Sequence, residues 1–222
     1  MNTRKNHANL TAAEKKAFVS AVLALKNSVN SVLKPGKMKR YDDFVQVHKN
    51  AMMGPDMIMP MPHGGALFFP WHRVLLRQFE LALQAAAGDP NIAIPYWDWE
   101  LSGNNSPFTD DFLGGDGDNA QGHRVVSGPF AYSTKKFTIR IWDAASGNAG
   151  LLREFGTDPT AFLPTPTQVA SALTKTPYSP GPNSWEKTSE GGLHNPVHRW
   201  IGGNMADATS PNDPVFFLHH CY

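Results

Sequence analysis

Seven histidines are set among apolar residues that repeat with a helical period, and they fall into two groups on either side of a long Gly-, Asn-, Ser- and Pro-rich stretch. His48 lies in RYDDFVQVHKNAM beside Phe44, Val45 and Val47. His72 opens PWHRVLLRQFELALQAAA, where Val74, Leu75, Leu76, Phe79 and Leu83 mark a buried helix face. His63 precedes it on a loop that leads straight into that helix, so it can fold back toward His72. In the second group, His194 and His198 are spaced i, i+4 and share one helix face, and His219 and His220 follow near the C-terminal end. Adjacent helical residues point ~100° apart, so one metal rarely takes both; the residues alone leave that choice open.

Imidazoles on buried helices are costly to desolvate without a partner. Imidazole suits Zn, Cu, Fe and Ni. Hydrolytic zinc sites usually keep three protein ligands and an open position, and helical di-iron sites use Glu-x-x-His motifs. Neither HExxH nor Glu-x-x-His occurs here. An all-histidine set split three and three points to a metal pair that changes redox state, and copper fits. His7, in a polar N-terminal stretch, and His123, in the Gly-rich stretch, are read as solvated and without a role.

The same patterning predicts the fold class as mainly α. Thr11 and Glu14 form a capping box ahead of a helix over 12–34, ended by Pro35-Gly36. Further helices are expected over 40–52 and 70–87, the latter closed by Gly88 and Pro90. Residues 92–100 read as extended. Residues 101–184 read as a loop-rich insertion with one short strand pair near KFTIRIW. HNPVHRWIGG reads as a short helix, and DPVFFLHHCY starts another, with Asp213 as N-cap and Pro214 in the first helical position. One domain is expected over 1–222.

A net charge of +1 argues against a nucleic-acid footprint or a polybasic membrane patch, and no stretch approaches the ~20 apolar residues of a membrane helix. Cys221 is the only cysteine, so no intrachain disulfide forms. The basic N-terminus has no apolar region after it, which suggests a chain that is cytoplasmic or exported with a partner.

The motifs HGGALFFPWHRVLLRQFE (63–80), LHNPVHRW and NDPVFFLHH, with LTAAEKKAFVSAVLALK and PYWDW, resemble the tyrosinases. These are the type-3 copper proteins that also include catechol oxidases and haemocyanins. The resemblance implies a four-helix bundle core holding two copper ions, with O2 as co-substrate and a small phenol as substrate. It implies His48, His63 and His72 on the first copper, and His194, His198 and His220 on the second, with His219 packing nearby. It implies Phe216 as an aromatic residue over the site, and Glu186 and Asn195 as holders of a water that takes the phenol proton, with Glu190 a rival for Glu186. Arg199 and Ala208 would lie at the substrate entrance.

Catechol or o-aminophenol oxidation without monophenol hydroxylation is the nearest alternative, with a haemocyanin-like O2 carrier or an inactive homologue further off. A helper protein or a homo-oligomer is compatible with the family but not readable here. Some relatives carry a Cys two residues before the second ligand; here it is Met61. Met52, Met53, Met57 and Met59 are read as gap-filling side chains rather than copper carriers. Relative to the family, the last bundle helix is expected to be incomplete.

Overall fold

The computed structural model describes residues 2–53, 61–100, 106–141 and 150–222, apart from the side chain of Met53. Met57 and Met59 therefore lie outside the described residues. Seven α-helices are present among these: α1 (Ala12–Asn27), α2 (Arg40–Met53), α3 (Phe68–Ala87), α4 (Pro166–Leu173), α5 (Trp185–Ser189), α6 (Asn195–Ile201) and α7 (Val215–His219). One two-residue antiparallel pair, β1 (Gly117–Asp118) with β2 (Arg124–Val125), is the sheet among the described residues. The class is mainly α, as the patterning predicts. No described helix is long and apolar enough to cross a membrane.

The capping box at Thr11 and Glu14 forms and starts α1. Gly88 ends α3 in the left-handed conformation at φ 64°, which glycine adopts without steric cost. α1 stops at Asn27, short of the expected residue 34. Asn27 turns its side chain to the carbonyls of Leu23 and Lys136, and Asn30 pairs with Lys39 instead of continuing the helix. Val32 and Leu33 keep the apolar period but stand 69% and 50% exposed, so they bury no face there.

Near KFTIRIW, where a strand pair is expected, residues 136–141 form no strand pair among the described residues. Phe137, Ile139 and Ile141 are buried and Thr138 and Arg140 less so, an alternation that sets the buried face without supplying a neighbouring strand. His7 also differs from its expectation: it is 3% exposed, because its backbone N–H donates to the Tyr96 carbonyl and draws the ring inside.

The core gathers where α2, α3 and α7 meet. Phe79 and Phe217 stack at 3.5 Å with planes 3° apart, and Tyr41 and Phe44 meet both edge-on. Phe112, Leu113, Val125 and Leu151 of the loop-rich region join the same core. Beside it, Lys26 and Asp42 form a buried ion pair at 2.5 Å, with Arg140 on the second carboxylate oxygen at 3.1 Å. The histidines sit at the end of this core, where α2, α3, α6 and α7 converge.

Candidate metal centre

Two triads of imidazoles face each other. In the first, ligand atoms of His48 (α2), His63 (the α2–α3 connection) and His72 (α3) all lie within 4.8 Å of one another. The Nδ1 atoms of His48 and His72 bond to the carbonyls of Ala208 and Phe68, both at 2.8 Å, and that of His63 to the Glu190 carboxylate at 3.0 Å. With Nδ1–H donated to those carbonyls, the Nε2 atoms of His48 and His72 carry lone pairs. All three Nε2 atoms are buried without a hydrogen-bond partner among the described residues.

The second triad is tighter. His194 stands at the end of a π turn (Glu190–His194) that runs into α6, and His198 lies one turn further on. Their Nδ1 atoms bond to Asn195 Oδ1 at 2.9 Å and to the Met205 carbonyl at 2.8 Å. Their Nε2 atoms are 3.0 Å apart, and His220 Nε2 lies 3.1 Å and 3.3 Å from the two. Nε2 lone pairs of His194 and His198 at that separation repel unless a cation or a proton lies between them. Both donor sets therefore fit a metal ion bound by three neutral nitrogens. His219 also offers a ring nitrogen within 4.8 Å of His194 and His198, and neither of its nitrogens has a partner among the described residues. His220 Nε2 is within hydrogen-bond distance of the Nε2 atoms of both His194 and His198, while the His219 ring stacks on His194 at 4.6 Å.

The triads are joined by aromatic rings. His72 stacks on His220 at 4.5 Å, and Phe216, fully buried, stands 4.0 Å from His220 and 5.1 Å from His48. Phe68, which sequence patterning marks only as apolar, lies 4.8 Å from both His72 and His194. Burial keeps the rings neutral: His48 falls to about 3 and His198 to about 4. His72, His194, His219 and His220 are held well below the usual range, by burial first and by neighbouring rings second.

Glu186, on α5, is 2% exposed, not the solvated loop carboxylate that its surroundings allow. It lines a cleft with Gly64, Gly65 and Ala66. Burial, then the hydrogen bond and charge of Glu190, raise its pKa. Burial alone would raise Glu190 too, but the His63 ring and the Gly64 amide outweigh it and hold it low. Asn195 is exposed at the start of α6, with its side chain engaged by His194.

Ala208, expected at the entrance, is 5% exposed, and its carbonyl accepts from His48 Nδ1 at 2.8 Å. Arg199 is exposed but turned to Thr160 at 2.8 Å and Asp158 at 3.7 Å. Neither lines the cavity of about 450 Å³ beside His194, His219 and His220, whose walls include Trp99, Trp185, Leu173 and Tyr222. Ala208, Met205 and Phe68 act through backbone carbonyls, which carry no mark in the sequence.

Residues 38–222 match the family described as the common central domain of tyrosinase. The chain is 42% identical to a tyrosinase of Streptomyces glaucescens over 236 residues, covering 100% of this chain and 80% of that protein. Its structure is similar to that of a polyphenol oxidase variant from Thermothelomyces thermophila, with TM-score 0.73, 28% identity and coverage of 100% and 68%. An octopus haemocyanin functional unit shares the fold, with TM-score 0.61, 21% identity and coverage of 100% and 50%.

Proposed function

The chain belongs to the tyrosinase family and is a copper-dependent phenol oxidase; within that activity we propose that it both hydroxylates monophenols and oxidises o-diphenols to o-quinones. The observation that carries this is the pair of facing histidine triads, with Nε2 atoms converging and the Nδ1 atoms of five of the six rings already hydrogen-bonded.

His48, His63 and His72 would hold one copper, and His194, His198 and His220 the other. Bound copper supplies the electron exchange with O2. The protein's share is to fix the rings, keep water from the site and move protons. Phe216 and Phe68 cover the space between the triads with apolar rings. Hydroxylation requires loss of a phenol proton whose unperturbed pKa is near 10, judged from tyrosine. In this reading Glu186 receives that proton, directly or through a water, which its burial and raised pKa support. Its raised pKa makes it a stronger base than an ordinary carboxylate when ionised. Asn195 completes this arrangement while holding His194.

The test is O2-dependent quinone formation by the copper-loaded chain, with a monophenol and its o-diphenol run in parallel. Turnover of both supports the reading. Turnover of the diphenol alone selects the catechol-oxidase alternative, and reversible O2 binding without quinone selects a carrier.

A further inference from the structure

His63 differs from the other rings in two ways. It is carried by the connection between α2 and α3 and not by a helix or a helix end. The Nδ1 partners of His48, His72, His194 and His198 are neutral oxygens, whereas that of His63 is a carboxylate. That carboxylate belongs to Glu190, which is 4% exposed.

Glu190 does more than touch the ring. Its Oε1 accepts from His63 Nδ1 at 3.0 Å and from the Gly64 amide at 2.9 Å, and its Oε2 accepts from the same amide at 2.8 Å. Gly64 has φ +74°, a conformation that side-chain-bearing residues rarely adopt. The carboxylate thus clamps both the ring and the turn that carries it.

Two further contacts fix the same stretch from the same side. The Tyr178 hydroxyl donates to the Ala66 carbonyl at 2.9 Å, and Phe69 stacks on Trp185 at 4.3 Å. Glu190 also opens the π turn whose last residue is His194. One turn of backbone therefore joins the loop ligand of the first triad to the first ligand of the second.

Resting on the dicopper reading above, we propose that Glu190 is a positioning residue for the first copper: it holds His63 in the Nδ1–H tautomer, aims Nε2 at the metal and raises the basicity of that ligand. A carboxylate behind a metal-bound histidine acts in this way generally. A purely structural staple needs only an acceptor, which a glutamine amide oxygen also provides. The negative charge is what distinguishes the two roles.

The experiment compares Glu190→Gln with the unsubstituted chain by titrating Cu(II) against a competing chelator. It is done in the full chain and again with His198→Ala, which disables the second site so that the first is read alone. The expected result is a 10–100-fold loss of first-site affinity in Glu190→Gln, an unchanged second site, and thermal unfolding of the metal-free protein within a few degrees of the parent. Unchanged first-site affinity, or equal loss at both sites, would overturn the proposal.

A second measurement uses no variant. Ring 15N shifts of His63 in the metal-free chain are expected to place its proton on Nδ1, and a proton on Nε2 would contradict the proposal. Failure of the unsubstituted chain to take two coppers would instead sink the dicopper reading, so the two failures are distinguishable.

Discussion

Arg153 and Asp213 hold each other through two parallel hydrogen bonds, Nε to Oδ2 at 2.7 Å and Nη2 to Oδ1 at 2.9 Å, with neither side chain exposed. Arg153 Nη1 also donates to the carbonyls of Leu113, Gly114 and Gly115. Asp213 Oδ1 accepts from Val215 N, the first residue of α7. The loop-rich region is thereby tied to the start of the helix that presents His219 and His220. Removing one partner leaves a buried charge uncompensated. Arg153→Met or Asp213→Asn is expected to cost about 3–5 kcal/mol in urea unfolding of the metal-free chain. The double variant Arg153→Met/Asp213→Asn should cost less than the sum of the two single variants, and full additivity would argue against a coupled pair.

The neutral histidines set a pH dependence. His48 and His198 have folded values of about 3 and about 4, against an ordinary value near 6.5. Their folded values are depressed, so below pH 6.5 the unfolded chain binds protons that the native chain refuses. Stability of the metal-free protein should therefore fall as pH drops from about 6.5 toward 4 and 3, by at most about 1.4 kcal/mol per pH unit per histidine. Urea midpoints measured across pH 7.5 to 4 check this; a flat profile would mean the rings are not held neutral.

Glu186→Gln separates the two phenol reactions. If Glu186 takes the phenol proton, monophenol hydroxylation should fall by about 10²–10⁴-fold. Diphenol oxidation, which inserts no oxygen into the ring, should change much less. Equal losses in both would place Glu186 in a structural role beside Glu190.

Phe216 contacts both triads, so its truncation should be felt by both. Phe216→Ala is expected to cost about 3–5 kcal/mol through the cavity it leaves, and to weaken copper binding at each site. Phe216→Leu, which refills part of the volume, should recover more than half of the stability. Thermal unfolding and chelator competition read the two effects separately.

The ligand-bearing helices were legible because apolar residues at helical spacing and the i, i+4 step of His194 and His198 report directly on which side chains share a face. The end of α1 was not, because Val29 and Leu33 continue the apolar period past the point where Asn27 and Asn30 turn the chain away. The burial of His7 is hidden for the opposite reason: its neighbours are polar, and the backbone pairing with Tyr96 that buries it is a long-range contact. The role of Arg153 was equally hidden, since nothing beside it in sequence points to Asp213. At the metal centre, the histidines could be named in advance. The oxygens that orient four of the six rings are either backbone carbonyls or the side chain of Glu190, and only the fold determines which of them meet.

In the proposed site each of two histidine triads holds one copper, and the second uses His220 rather than its neighbour. Copper per polypeptide, measured after loading and desalting, tests it directly when His219→Ala and His220→Ala are run beside the unsubstituted chain. Two coppers are expected in the unsubstituted chain, two in His219→Ala and one in His220→Ala. One copper or none in the unsubstituted chain, or a loss confined to His219→Ala, would contradict it.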